Sequence, residues 1–306
     1  MSVGPVVVGV DNTVDACSAV LWAAHEAALA QTSLLILHSP QAPSARSDVP
    51  RDCDDVGQSV LRNLETLAQA ARPDVVVSTL LSHADPGQAL INLSTQARLM
   101  VLGSRSAMTG EVSLLASERI LVSGRAHCPV LLLGPVSTFG SPRGVSRVVV
   151  GVAATRAARA AVVFATTEAV RHNVALHLVR VEPEPVGQPT RRAAGPGEMH
   201  STGLLPVDSL SAEAREIRRN YPNLTVLAHS ATGDATESLL SYSDSSSILV
   251  VGCRRSNDRW STRLGPVATS VLHRSRGPVV VVGIAHDAEG PRCDTALSGR
   301  GFLLVL

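Results

Sequence analysis

The sequence predicts an α/β protein of two tandem domains, each a five-stranded parallel sheet with helices on both faces. Strand-like and helix-like segments alternate along the chain, and the whole pattern occurs twice. The run Val6–Val10 returns as Val148–Val152 at an offset of 142 residues, and Leu99–Gly134 aligns without gaps to Ile248–Gly283 at an offset of 149. Two copies with so long a period indicate complete domains, because solenoid repeats are roughly 20 to 50 residues long.

Each copy is expected to contain five short, β-branched strands separated by helices. The predicted strands of the first copy are Val6–Val10, Leu34–Leu37, Val75–Leu80, Leu99–Gly103 and Val130–Leu133. Those of the second copy are Val148–Val152, Ala175–Val179, Leu224–Ala228, Ile248–Val251 and Val279–Val282. The predicted helices of the first copy are Val14–Gln31, Val56–Arg72, Gln88–Gln96 and Ser117–Ser123. Such βα units give a Rossmann-like sheet, whose ligands bind at the carboxyl ends of the strands.

The repeat also sets the expected domain boundaries. We expect domain 1 at residues 1–138, domain 2 at 144–286 and a C-terminal extension at 287–306. Residues 39–55 and 182–207 follow the second strand of each copy and are rich in Pro, Gly, Ser and charge. Segments of this length without regular structure are typically functional lids or disordered.

Composition excludes several classes of protein. The chain has 306 residues, of which 45% are hydrophobic and 17% charged, enough for a sizeable core. All 27 basic residues are arginines, which excludes the phosphate-binding lysine of a P-loop and Schiff-base catalysis. A net charge of +1 and an aromatic content of 2% argue against nucleic acid as a partner.

Compartment and cofactors are constrained by the cysteines and the N-terminus. The five cysteines contain no CxxC pair, so neither a zinc site nor a disulfide framework is predicted. The N-terminus lacks a basic region, and no apolar run approaches the roughly 18 residues that span a bilayer. We therefore expect a cytoplasmic protein with no membrane partner.

The segment after the fourth strand carries a recognisable motif. Gly103 is followed by Ser106, Ala116 and Ser117, and then by Cys128-Pro129-Val130. This resembles the universal stress protein family, whose signature is Gly-x2-Gly-x9-Gly-Ser/Thr, with a first strand ending in Val-Asp, as in Val10-Asp11. The resemblance covers about residues 5–134 and 147–283. The chain is identified as a tandem, two-domain bacterial member, and the resemblance implies a fold of the adenine nucleotide alpha-hydrolase-like type.

The resemblance implies an adenine nucleotide site in the first copy. In members that bind ATP, the glycines let the backbone approach the phosphates, and the Ser/Thr opens a helix towards the anion. The residues carried over are Val10, Asp11, Asn12, Ser39, Gly103, Arg105, Ser106, Ala116, Ser117, Glu118 and Arg119. Ser106 and Ala116 replace glycines, and a positive φ at Ala116 would cost about 1–2 kcal/mol. We expect weakened ATP binding, with Mg²⁺ accompanying the nucleotide.

The second copy departs further from the signature. Ala153 replaces the aspartate and Pro266 the Ser/Thr, while Gly252 and Gly265 remain. Arg254 and Arg255 begin a run of four arginines that ends at Arg263. Their guanidinium groups could hold a phosphate, or the loop could be a solvated basic surface. Ordinary ATP binding is not expected here.

The remaining polar residues predict neither a catalytic nor a metal site. His38, His83 and His127 lie near strand ends without an evident partner, which is typical of surface or packing roles. Asp52, Asp54 and Asp55 form an acidic cluster on the first long loop that could bind a divalent cation or remain solvated.

The expected function is therefore that of a non-enzymatic stress-response regulator or sensor that responds to adenine nucleotide. The alternatives are a nucleotide-independent adaptor acting through the arginine-rich loop and a weak ATPase. The resemblance also implies association through the last-strand edges, 130–133 and 279–282. Those edges either pair two chains into a homodimer or are consumed within one chain.

Overall fold

The computed structural model describes residues 4–11, 13, 15–40, 51–103, 115–135, 144–184, 207–254 and 264–284, with the backbone alone at 51–53, 115–118 and 207–209. Asn12, Arg105, Ser106 and Arg255 lie outside the described residues, as does the predicted C-terminal extension. Residues 4–135 are here called lobe one and residues 144–284 lobe two.

Each lobe alternates five strands with four helices. The elements of lobe one are β1 (Val6–Val10), α1 (Asp15–Leu29), β2 (Leu34–His38), α2 (Arg51–Ala71), β3 (Val77–Leu81), α3 (Pro86–Leu93), β4 (Leu99–Leu102), α4 (Leu115–Arg125) and β5 (Val130–Leu132). The elements of lobe two are β6 (Arg147–Val152), α5 (Arg156–His172), β7 (Ala175–Glu182), α6 (Val207–Asn220), β8 (Val226–Thr232), α7 (Ala235–Tyr242), β9 (Ser247–Arg254), α8 (Pro266–Arg274) and β10 (Val279–Ile284).

The strands form one ten-stranded sheet in the order β3-β2-β1-β4-β5-β10-β9-β6-β7-β8. Within each lobe every neighbouring pair is parallel, and both lobes have the same internal order. The chain leaves β1 towards β2 on one side and returns to β4 on the other, so β1 and β4 flank the topological switch point. The predicted fold class, two Rossmann-like α/β units in tandem, is confirmed.

The lobes join where β5 and β10 pair antiparallel. Leu131 lies opposite Val280, its own repeat equivalent at the offset of 149, so a pseudo-twofold axis passes through this pair. Strand β5 is also bonded to β4, and β10 to β9, so neither has a free edge. The last-strand edges are thus consumed within one chain, and a homodimer through them does not fit this structure.

Helices cover both faces of the sheet. One buried cluster joins α1, α2, α5 and α6 to one face, and a second joins α3, α4, α7 and α8 to the other. Alternation along β1 shows how the strands serve both layers, because Val6 and Val8 belong to the first cluster and Val7 to the second. Buried strands with two apolar faces explain the continuous valine-rich runs in the sequence.

Several element boundaries differ from the sequence prediction. Helix α2 begins at Arg51, so Asp52, Asp54 and Asp55 lie in a helix and not on a loop, as the sequence had predicted. Acidic residues in a first helical turn interact favourably with the helix dipole. Strands β9 and β10 extend to Arg254 and Ile284, beyond their predicted ends.

We expect Leu131→Ala to lower the free energy of unfolding by roughly 2–5 kcal/mol, because a cavity would open beside the axis. Leu131 is 2% exposed, whereas Val76 is 74% exposed and supplies the control Val76→Ala. Urea unfolding of both variants checks this. Equal losses of stability would contradict a tightly packed junction.

Candidate functional site

The switch point of lobe one brings two of the predicted residues together. Gly9 pairs with Leu102, the last residue of β4, so the residues that follow β1 and β4 lie side by side at the carboxyl edge. Asp11 follows β1, and Gly103 follows β4. The structure therefore places both where an α/β sheet of this topology binds its ligands.

The gap between the carboxyl ends of β1 and β4 is here called the crevice. Hydrogen bonds hold the residues that border it. The Asp11 carboxylate accepts from the Thr13 backbone N–H at 3.0 Å and from the Thr13 hydroxyl. The Ser39 hydroxyl donates to the Ala84 carbonyl at 2.6 Å, which ties the end of β2 to the start of α3. Asp85 caps α3 by accepting from the Gln88 N–H at 2.9 Å. These hydrogen bonds position Asp11, Ser39 and Asp85 at the carboxyl ends of the first three strands.

His38 stabilises the same strand ends from a buried position. Its side chain is buried, and Nδ1 lies 3.0 Å from the Val10 carbonyl. A carbonyl only accepts, so Nδ1 carries the proton and holds the ends of β1 and β2 together. The packing role left open for His38 by the sequence is the one observed.

Gly103 is not required by packing of the described residues. A Cβ built there would lie 3.7 Å from the Ala19 Cβ and 3.8 Å from the Asp15 carbonyl oxygen, which are ordinary contact distances. A Cβ would therefore fit against α1 without displacing it, so the glycine at this position is explained by close approach of a ligand to the backbone better than by packing.

Helix α4 is the element that follows β4 along the chain. Ala116, Ser117 and Glu118 lie in its first turn, and α4 begins at Leu115, two residues before the predicted start at Ser117. Among the described residues, Gln31 and Asn173 are the non-glycine residues with positive φ, so Ala116 does not carry the strain considered from the sequence. The first N–H groups of a helix have no partner within it and attract anions.

Arg119 contacts the residue that follows β5. One of its terminal nitrogens donates to the Leu133 carbonyl at 2.9 Å. The side chain lines a cavity of about 250 Å³ at the lobe junction, together with Gly134, Pro135 and His273. The structure therefore places Arg119 at the contact between the lobes.

The equivalent glycine of lobe two, Gly252, is packed more tightly. Strand β9 continues through Gly252 to Arg254 and stays paired with β10, so this backbone belongs to the sheet. A Cβ at Gly252 would lie 2.3 Å from the Ala157 carbonyl oxygen and 2.8 Å from the Ala158 nitrogen. The start of α5 thus packs directly on Gly252, where lobe one leaves space above Gly103.

The helix start in lobe two also differs. Gly265 is the N-cap of α8 with no side-chain cap bond, and Pro266 is the first helical residue. Proline removes one of the N–H groups that a helix start offers to an anion. The arginine-rich segment, including Arg255, lies outside the described residues apart from Arg254 at the end of β9.

Comparison with known proteins agrees with this architecture. The profile of the universal stress protein family matches residues 3–134 and again 144–283. The chain belongs to the universal stress protein family. The tandem arrangement of its two domains is thereby shown, and among its described residues no helix is long and apolar enough to cross a membrane.

Similar proteins share the tandem length. The universal stress protein Rv2005c of Mycobacterium tuberculosis is 26% identical over 287 residues, covering 90% of this chain and 96% of its own. A universal stress protein structure from Archaeoglobus fulgidus is 15% identical, with a TM-score of 0.68, and the match covers 91% of this chain and 98% of that one. A solved universal stress protein in complex with cAMP is 25% identical, covers 44% of this chain and 98% of its own, and has a TM-score of 0.33.

The two glycines should respond differently to the same substitution. We expect Gly252→Ala to lower the free energy of unfolding by roughly 1–3 kcal/mol, because the start of α5 must move away. Gly103→Ala should change it by less than about 0.5 kcal/mol, because its Cβ has room. Thermal and urea unfolding compare them. A larger loss for Gly103→Ala would show that the crevice is filled by the protein itself.

Proposed function

We propose that lobe one binds an adenine nucleotide in the crevice between β1 and β4, that lobe two does not, and that the protein is a non-enzymatic regulator in the stress response. The contrast between the two glycines supports this most directly. The Asp15 carbonyl lies 3.8 Å from a Cβ at Gly103, whereas the Ala157 carbonyl lies 2.3 Å from one at Gly252. A side chain as small as alanine therefore fits at this position in lobe one and not in lobe two.

The phosphates would lie against Gly103 and the first turn of α4. Backbone N–H groups at Leu115–Ser117 and the positive end of the helix dipole supply the attraction. The adenosine end would lie between Asp11 and Ser39, beyond the ends of β1 and β2. No lysine is available to neutralise the phosphates, so Mg²⁺ bound with the nucleotide would complement the backbone amides.

Binding of the nucleotide, and not its hydrolysis, would be the regulatory signal. Hydrolysis of ATP needs a group that activates or positions the attacking water. Among the described residues of the crevice, Asp11 is the candidate base, and its Oδ1 already accepts two hydrogen bonds from Thr13. This arrangement holds Asp11 for contact with a ligand and favours binding over catalysis.

One assay decides whether nucleotide is bound. We expect the denatured, purified protein to release adenine nucleotide on ion-pair chromatography, or the protein emptied of nucleotide to bind ATP with Mg²⁺ in calorimetry. Gly103→Ala should weaken binding roughly tenfold or more, because its Cβ occupies the approach to the phosphates.

Gly265→Ala is the matched control. A Cβ at Gly265 meets nothing within 4 Å, and the residue lies at the corresponding helix start of lobe two. Its affinity for ATP should equal that of the unaltered protein. Absence of released nucleotide together with absence of heat would reject the proposal, and phosphate release that Gly103→Ala reduces in step with binding would show an ATPase instead.

A further inference from the structure

Two buried carboxylates meet on the α1–α5 side of the lobe junction. Glu26 lies in the last turns of α1 and Glu168 in those of α5, and both are less than 5% exposed. They are repeat equivalents at the offset of 142. The same offset relates the pairing of Val6 with Leu34 to the pairing of Val148 with Leu176, so it holds on both sides of α1 and α5. The pseudo-twofold axis therefore relates the two carboxylates.

Lobe two supplies the two cationic side chains within 4.0 Å of this pair, His172 and Arg171. His172 Nε2 lies 3.1 Å from Glu26 Oε1 and 4.0 Å from Glu168 Oε2, and its side chain is 3% exposed. Arg171 donates to Glu168 at 2.5 Å, and the Trp22 indole N–H donates to Glu26 at 3.1 Å. Every member of the cluster thus has a partner, and the contact between Glu26 and His172 crosses from one lobe to the other.

The cluster is asymmetric although the lobes are repeats. The equivalents of Arg171 and His172 at the offset of 142 are Leu29 and Ala30, which carry no charge. A lobe one facing a second lobe one would place Glu26 against Glu26 with neither cation present. The neutralising groups therefore favour pairing between unlike lobes, which is the pairing observed.

Other charged groups face the cluster from neighbouring segments. His25 of α1 has its ring centroid 5.8 Å from that of His172, and its Nδ1 lies 3.2 Å from Arg72, which follows α2. Arg98, just before β4, interacts electrostatically with both carboxylates. Glu26 and Glu168 repel each other, because the charge of Glu26 raises the pKa of Glu168.

Burial raises the pKa of Glu168 to about 7, and the charge of Glu26 adds to this. Burial also opposes ionisation of Glu26, but its hydrogen bond to His172 and the charge of that ring lower its pKa overall. Burial lowers the pKa of His172 less than the two carboxylates raise it. Of the two carboxylates, Glu168 therefore binds a proton more readily than Glu26, and His172 binds one more readily than a free imidazole.

We propose that Glu26, Glu168 and His172 form a proton-linked clasp between the lobes. At mildly acidic pH one proton on the carboxylate pair and one on the imidazole hold α1 against α5. Above neutral pH the loss of these protons leaves buried negative charge at the junction, and the junction weakens.

A proton fits this cluster better than a metal ion. The three ligand atoms lie within 4.8 Å of one another, a spacing that a divalent ion could use. Arg171 and Trp22 already donate to the carboxylate oxygens, and Arg171 supplies positive charge that an ion would duplicate. A metal ion is accordingly an outcome that the experiment below distinguishes.

The sign of the pH dependence follows from the directions of the shifts. The raised pKa of Glu168 gives stability that is complete below about pH 4.5 and is lost as pH rises through about 7. The raised pKa of His172 acts in the same direction. Glu26, with a lowered pKa, loses its contribution only below about pH 4.5. Between pH 5.5 and 8, stability from the clasp should therefore fall.

The histidine pair His177 and His229 gives a pH dependence of stability of the opposite sign. The experiment must separate this contribution from that of the clasp. Burial, with His229 and Arg147 nearby, lowers the pKa of His177 to about 4, so its contribution is lost as pH falls. Comparison of the protein with variants that retain His177 and His229 removes this contribution from the result.

The decisive measurement is urea unfolding of the full chain at pH 5.5 and pH 8. Between these values, the folding equilibrium constant of the unaltered protein should fall roughly tenfold or more relative to that of Glu168→Gln. Glu237→Gln is the control, because Glu237 is 61% exposed on its ion pair with Arg274, and it should follow the unaltered protein. An unchanged pH dependence in Glu168→Gln would overturn the clasp.

Glu26→Gln provides a second route should Glu168→Gln fail to fold. Removal of the Glu26 charge should lower the pKa of Glu168, so the loss of stability should begin at lower pH. The same onset as in the unaltered protein would overturn the proposal.

EDTA should leave the melting temperature of the protein unchanged, and ZnCl₂ should not raise it. Zinc-dependent stabilisation that Glu26→Gln abolishes would assign the cluster to a metal. These results do not depend on whether lobe one binds nucleotide.

Discussion

The antiparallel pairing of β5 with β10 is the contact on which the rest of the molecule depends. It consumes the inner edge of each five-stranded sheet and turns two lobes into one continuous layer. Because the pairing is antiparallel, the carboxyl edges of the two lobes point in opposite directions. The lobe-one crevice and its lobe-two counterpart therefore lie at opposite edges of the sheet, and each can change without obstructing the other.

That separation explains how two copies of one fold came to differ at a single edge. Strands β9 and β10 keep pairing past Gly252 to Arg254, whereas the described pairing of β4 with β5 ends at Leu102. The start of α5 closes over the same glycine. The core positions of the two lobes remain equivalent, because the packing of β1 and β6 does not depend on whether the edge is open.

The sequence was sufficient where local patterning decides structure. Apolar runs bounded by turns gave β1 at its observed limits and the repeat gave the common topology, since buried parallel strands leave a strong signal. Helix starts were less predictable: Asp52, Asp54 and Asp55 looked like loop residues because their polarity matches either a loop or a first helical turn. The ordinary contact distances at Gly103 and the much tighter packing at Gly252 could not be read from the sequence, because they depend on how closely α1 and α5 approach the sheet.

The clasp escaped sequence reasoning for a related reason. Glu26 and Glu168 are ordinary polar positions within their own helices, and only the junction of the lobes buries them together. Alignment at the offset of 142 does place one acid on the other in two alanine-rich helices, which is the signal that could have found them. Helix α1 carries this position about 16 Å from its start, given 1.5 Å per residue, and its first residue, Asp15, borders the space above Gly103. Helix α1 thus has its first residue beside Gly103 and its last turns in the clasp.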